Sequence, residues 1–74
     1  MKPVIVESYA GSRAEEYPVR FYYSGRKIEI VSIKKRWLTP ESRNFTVLGD
    51  DGCLYDLEYG NNTETWNLTT VNRP

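Results

Sequence analysis

Residues 19–37 read Val-Arg-Phe-Tyr-Tyr-Ser-Gly-Arg-Lys-Ile-Glu-Ile-Val-Ser-Ile-Lys-Lys-Arg-Trp, and this stretch decides the fold. Ser24-Gly25 has the composition of a two-residue hairpin turn, because glycine accepts the positive φ that such turns require. With that loop, the register pairs residues of like or complementary character: Val19 with Ile30, Phe21 with Ile28, Arg20 with Glu29, and Tyr22 with Lys27. The stretch therefore predicts an antiparallel hairpin with one apolar face.

The second strand of this hairpin changes phase midway. Ile28 and Ile30 share one face, whereas Val31, Ile33 and Trp37 have the opposite parity. A straight strand would expose one of these sets, but a β-bulge or sharp coil near Ile30-Val31 would bring both inside. The phase change predicts a small barrel rather than a flat sheet, with Trp37 in its core.

Four further segments have the composition of strands, and polar turn residues separate them. They are residues 3–9, 44–48, 53–59 and 64–71. Residues 10–16 are polar and predict a loop. The whole pattern predicts an all-β fold of six antiparallel strands in meander order, forming a small SH3-like or OB-like barrel, closed or half-open.

Register selects the loop between the fourth and fifth predicted strands. A two-residue loop, Asp51-Gly52, would place charged residues opposite core residues. A three-residue loop over 50–52, with Gly52 in the left-handed conformation, pairs Val47 with Tyr55 and Phe45 with Leu57. The three-residue loop is therefore the prediction.

The composition argues against catalysis and against cofactors. The 74 residues form a single small domain, 1–74, with one cysteine and no histidine. An intrachain disulfide and a cysteine–histidine pair are therefore excluded, a zinc site would need carboxylates alone and is not expected, and Cys53 reads as a packing residue. No apolar run is long enough for a membrane helix or resembles a signal peptide, which predicts a cytoplasmic protein that does not contact membranes.

Charge is unevenly distributed although the net charge is zero. Residues 20–43 contain seven basic and two acidic residues, a balance of +5, while residues 44–74 have a balance of −4. Neighbouring strands could neutralise each other, or the basic segment could form a face for an anionic partner. The candidate residues for such a face are Arg20, Tyr22, Lys34, Arg36 and Arg43.

Core and turn residues recur at a characteristic spacing from about Tyr17 to Leu68. They are Tyr17-Pro18-Val19-Arg20-Phe21, Gly25-Arg26, Trp37, Phe45-Thr46-Val47, Asp51-Gly52, Tyr55-Asp56-Leu57 and Trp66-Asn67-Leu68. This spacing resembles a family of small bacterial domains of unknown function, whose pattern is like R-P-x-x-F, G-x-x-x-x-V, W, F-x-V, D-G, Y-x-L, W-x-L. Tyr17 stands where the pattern has arginine, so no role of that arginine is carried over. Some members are encoded near translesion-type DNA polymerases, which implies a connection with DNA metabolism.

Two functions are consistent with these residues. The first is a non-enzymatic binding module whose partner is single-stranded nucleic acid or a protein of DNA metabolism, because basic and aromatic side chains together contact phosphates and bases. The second is a protein–protein adaptor that offers an edge strand, residues 3–9 or 64–71, for strand addition without binding nucleic acid.

Overall fold

The computed structural model describes residues 2–10 and 16–72, and these residues form an all-β fold without a helix. The seven strands are β1 (Lys2–Pro3), β2 (Ile5–Ala10), β3 (Glu16–Tyr23), β4 (Arg26–Leu38), β5 (Ser42–Gly49), β6 (Leu54–Gly60) and β7 (Trp66–Asn72). None of the described residues belongs to a helix that could cross a membrane. The predicted loop over 10–16 lies largely outside the described residues.

The strands form one antiparallel sheet in the order β1-β7-β6-β5-β4-β3-β2, curled into a small half-barrel. The predicted first strand, residues 3–9, is two strands rather than one. β1 pairs with β7 and β2 pairs with β3, so the N-terminal segment contacts both ends of the meander. Val4 lies between the two strands and donates its N–H to the Trp66 carbonyl. This division raises the strand count from six to seven, and the all-β barrel prediction is confirmed.

The hairpin formed by β3 and β4 has the predicted register. Phe21 pairs with Ile28, Arg20 with Glu29 and Tyr22 with Lys27. Ser24 and Gly25 both have positive φ, 55° and 76°, which fits the mirror-image turn that matches the strand twist. The ladder ends at the Arg20–Glu29 pair, one pair short of the predicted contact between Val19 and Ile30.

The β5–β6 hairpin also has the predicted loop. Val47 pairs with Tyr55 and Phe45 with Leu57. Gly52 has a φ of 85°, the left-handed conformation, and its N–H bonds to the Gly49 carbonyl. The three-residue turn is therefore confirmed, and its register places a buried aromatic residue on each strand.

β4 contains two irregularities, one between Ile30 and Ser32 and one between Ile33 and Lys35. The predicted bulge near residues 30–31 is confirmed, but it does not carry Val31 inside, since Val31 is 62% exposed. The second bulge was not predicted, and it reverses the parity of all the residues that follow. The prediction that Trp37 lies in the core is wrong for this reason: its side chain is 42% exposed.

The core lies between the inner faces of the curled sheet. It consists of Phe21, Ile28, Phe45, Val47, Tyr55, Leu57 and Leu68. The rings of Phe21 and Tyr55 meet edge to face, with centroids 4.9 Å apart. Such a pair adds to the stabilisation from burial. Trp66 is half-buried and packs against this cluster, so it belongs to the edge of the core.

Candidate nucleic-acid interface

The end of β4, Lys34–Leu38, extends past the part of the sheet that encloses the core. All five of its residues are exposed. β4 pairs with β3 only as far as Glu29, and among the described residues its second half pairs with β5 alone. We refer to Lys34–Leu38 as the β4 overhang. It places five consecutive side chains, three of them basic, where a ligand can reach both faces of the sheet.

The second bulge determines which overhang residues point outward. Cross-strand partners in an antiparallel pair share a face. Lys35 pairs with Thr46 and Trp37 with Asn44, and these residues lie on the outer face, opposite to the core. Arg36 pairs with Phe45, a core residue, and therefore lies on the inner face. Alternation along a regular strand would place Lys34 and Arg36 together on the outer face, but this expectation is wrong, because Lys34 is the extra residue of the bulge.

Lys35 and Trp37 interact on the outer face. The Lys35 Nζ atom lies 5.7 Å from the centre of the Trp37 ring, within the range of a cation–π contact. The contact holds an ammonium group beside a partly exposed indole. This arrangement offers an anion-binding group and a stacking surface at the same place.

Arg43 lies on the inner face across from the overhang. In the β4–β5 pair it stands opposite Leu38, and in the β5–β6 pair it stands opposite Tyr59. Tyr59 in turn pairs with Trp66 on β7. Leu38, Arg43, Tyr59 and Trp66 thus form one row across four strands, which we call the inner row.

A short polar turn fixes the overhang against β5. The Thr39 Oγ1 atom accepts a hydrogen bond from the Ser42 N–H at 3.0 Å, and the Thr39 N–H donates to the Ser42 carbonyl at 2.9 Å. The Asn44 side-chain amide donates to Ser42 Oγ at 3.1 Å. Ser42 and Asn44 are buried, so these bonds satisfy polar groups that would otherwise be costly to bury. The turn keeps Arg36 and Arg43 on neighbouring strands.

Arg20 and Tyr22, two of the five candidate residues, lie on another part of the sheet, where they bind carboxylates of neighbouring strands. The Arg20 guanidinium lies 2.7 Å from Glu29 and 2.6 Å from Glu7, and the Tyr22 hydroxyl donates to Glu7 at 2.6 Å. The bond to Glu29 and then the bond to Glu7 raise the pKa of Arg20 above its usual value. Neighbouring strands therefore neutralise this group.

The other three candidates remain together. In the part of the chain that the structure describes, the ion pairs join Arg20 to Glu7 and Glu29, and Arg26 to Asp51. Lys34, Arg36 and Arg43 take part in none of these pairs. Asp56 and Glu58 lie on the outer face of β6, and Asp56 accepts a hydrogen bond from Thr46 at 2.6 Å. Among the described residues, the overhang and Arg43 thus form a basic cluster that no ion pair joins to a carboxylate.

The opposite end of the half-barrel contains a groove lined by polar and aromatic residues, with a cavity volume of about 350 Å³. The buried Tyr55 hydroxyl donates to Asp51, and Arg26 lies 3.0 Å from the same carboxylate. These groups satisfy one another. Among the described residues no group of three or more candidate ligands could hold a metal ion.

Tyr59 and Trp66 line the overhang end of the half-barrel, and neither is among the residues that the sequence indicates for a binding face. Alternation along their strands predicts an inner, core position for both. The signal that could have found them is their position in the register: both lie at the last pair before the Gly60–Thr65 turn, next to the end of the barrel. In comparisons with protein-family models, with curated proteins and with solved structures, nothing matched this chain.

Proposed function

We propose that this protein is a cytoplasmic, non-enzymatic binding module for single-stranded nucleic acid, with the β4 overhang and Arg43 as its contact surface. The observation that carries the proposal is the position of Trp37. Trp37 is 42% exposed beside Lys35, on a strand end whose basic residues form no ion pair with another described residue.

The basic cluster suits a phosphate backbone. Lys34, Arg36 and Arg43 come from two adjacent strands that are about 4.8 Å apart. Cations in such an arrangement contact successive phosphates, and their free energy of binding comes largely from the release of counterions. None of these three cations forms an ion pair with another described residue, so a ligand does not compete with such a pair.

The exposed indole favours a single strand over a duplex. A tryptophan ring binds a base by stacking, and the base must be unstacked from its neighbours to offer a face. Stacking on one aromatic ring is worth about 1–3 kcal/mol for each base and is tolerant of sequence. The proposed ligand is therefore a flexible single strand, recognised without strong sequence preference.

The form of the β4 edge argues against strand addition at the same place. An added strand needs a regular row of free backbone groups. β4 has two bulges within residues 30–35, and Lys34 and Lys35 follow the first of them. Bulges and lysines are features that protect an edge strand from pairing with another chain. The basic residues of the overhang are thus better suited to phosphates than to a peptide backbone.

A pair of matched variants tests the proposal. The first changes Lys34, Arg36 and Arg43 to Gln, and the control changes three other described basic residues, Lys2, Arg26 and Lys27, to Gln. Both lower the net charge equally. The change in anisotropy of a labelled oligothymidylate at low ionic strength measures binding. We expect the first variant to lose binding and the control to retain it within about threefold. Absence of binding by the unaltered protein, or equal losses in both variants, contradicts the proposal.

A second candidate function, that of a protein–protein adaptor, is favoured by the exposed face of β2. This strand lies at one end of the sheet, and its Ile5 and Tyr9 side chains are 71% and 49% exposed. A sheet-end strand with exposed apolar residues can pair with an extended peptide of a partner such as a protein of DNA metabolism. Capture of partners from nuclease-treated lysate tests this candidate: Ile5→Lys with Tyr9→Lys should abolish capture, and Lys34→Gln should not.

A further inference from the structure

We propose that the bound strand continues from the β4 overhang onto the inner row, where Tyr59 and Trp66 form a second surface for stacking a base and Arg36 and Arg43 hold the adjoining phosphates. This inference rests on the proposed function, and it adds a second stacking site on the opposite face of the sheet from Trp37.

The inner row is the last layer of the half-barrel at this end. The preceding layer, Phe45, Leu57 and Leu68, is buried. The inner row is not: Leu38 is 77% exposed, and Arg43, Tyr59 and Trp66 are half-buried. The side of the row that faces away from the core is therefore accessible to a ligand.

The two rings leave surface for a base. The Tyr59 and Trp66 centroids are 5.1 Å apart with an angle of 52° between the ring planes. Trp66 and Phe45 are 5.8 Å apart and tilted by 37°. Neither neighbour lies parallel to the indole, so neither covers a whole indole face as a stacked ring would.

The positions of the two arginines connect the two faces. Arg36 is on the inner face but is part of the overhang, directly between Lys35 and Trp37, which point outward. Arg43 is one strand further and shares its face with Tyr59. A phosphate chain that follows Arg36 and then Arg43 thus leads from the exposed indole toward the inner row. From β4 to β7 this path crosses three strand spacings, about 14 Å.

The positive charge of Arg36 and Arg43 favours a polyanion as the ligand of this surface. The inner row and Arg36 contain two guanidinium groups and no carboxylate, and neither group takes part in an ion pair among the described residues. Aromatic rings next to guanidinium groups suit the alternating bases and phosphates of a single strand. An acidic peptide would satisfy the cations but would leave the rings without a stacking partner.

Two single-tryptophan variants test the inference, because the protein has one tryptophan on each face. Trp37→Phe leaves Trp66 as the only indole, and Trp66→Phe leaves Trp37. Anisotropy of a labelled oligothymidylate measures binding for each variant. Intrinsic fluorescence during titration with unlabelled oligothymidylate then reports stacking, with free tryptophan as the control for absorbed light. An abasic chain of the same length supplies phosphates without bases.

We expect oligothymidylate to quench Trp66 emission in Trp37→Phe by at least a third, and the abasic chain to leave it nearly unchanged. Tyr59→Leu as a single substitution, with both tryptophans present, should weaken binding of oligothymidylate about tenfold, which is about 1.4 kcal/mol. If the oligonucleotide binds and quenches Trp37 but not Trp66, the inference is wrong while the proposed function stands. If neither the unaltered protein nor any of the variants binds oligothymidylate, the proposed function itself is wrong.

Discussion

Arg36 lies directly opposite Phe45 in the β4–β5 ladder, so a guanidinium group shares a face with a core residue. The pair is tolerated because this end of β4 extends past the part of the sheet that encloses the core. The Arg36 side chain is therefore exposed to solvent although Phe45 is buried. The bulge at Lys34 produces this arrangement. It also turns Trp37 outward, and both consequences define the candidate interface.

The two tryptophans should make unequal contributions to stability. We expect Trp37→Ala to lower the free energy of unfolding by less than about 1 kcal/mol, since it removes an exposed ring and one cation–π contact. Trp66→Ala should cost about 3 kcal/mol, because Trp66 packs against Phe45 and the core cluster. Urea denaturation measures both values. A larger loss for Trp37 than for Trp66 would mean that Trp37 belongs to the core.

Affinity for an oligonucleotide should depend on salt in proportion to the phosphates contacted. For single strands the slope of log K against log salt is about −0.7 for each phosphate, so Lys34, Arg36 and Arg43 together should contribute about −2 to the slope. Each single change to Gln should reduce the magnitude of the slope by about 0.7. Titrations over a range of salt concentrations measure it, and Lys27→Gln serves as the control. If the slope is the same in all three single variants as in the unaltered protein, these residues do not contact phosphates.

Stability should fall in acid through Glu7. Hydrogen bonds from Tyr22 and then from Arg20 lower the pKa of this carboxyl below its ordinary value of 4.5. Since its pKa is lower in the folded than in the unfolded protein, Glu7 stabilises the fold above about pH 4.5, and that contribution is lost as the pH falls through the folded pKa. Denaturation midpoints between neutral pH and pH 3 measure the effect.

Two variants separate the contribution of Glu7 from that of the other carboxylates. Glu7→Gln should flatten the acid limb of the stability curve, and Tyr22→Phe should flatten it in part by removing the first hydrogen bond. Asp51 contributes to the same limb. Burial opposes its shift, but hydrogen bonds from Tyr55 and the Cys53 N–H lower its pKa below 3.8. An acid limb of unchanged slope in Glu7→Gln would show that Glu7 is not the titrating group.

Gly49 should not tolerate a side chain. A Cβ at this position would lie 2.8 Å from Ile28 Cγ2 and 3.0 Å from Tyr55 Cε2, inside the core. We expect Gly49→Ala to cost about 1–3 kcal/mol through overpacking. Urea denaturation of Gly49→Ala and of the unaltered protein measures the loss. An unchanged free energy of unfolding in Gly49→Ala would contradict the close packing at Gly49.

The register of both hairpins was predictable from the sequence because it depends on local chemistry. Ser24-Gly25 and Gly52 fix the turn geometry, and alternation then determines which side chains meet. Phe21 with Ile28 and Val47 with Tyr55 follow from these rules without knowledge of the rest of the fold. The candidates Lys34, Arg36 and Arg43 also followed from the basic run and its neighbours.

By itself, then, the sequence determined the all-β class, the hairpin turns, the first bulge and most of the core. The tertiary structure decided the division of the N-terminal strand at Val4, the pairing of Arg20 with Glu7, and the outward orientation of Trp37. Each of these depends on contacts between distant segments or on a bulge that leaves no local signal. A single extra residue at Lys34 reverses the parity of all later positions, and only the ladder with β5 reveals it.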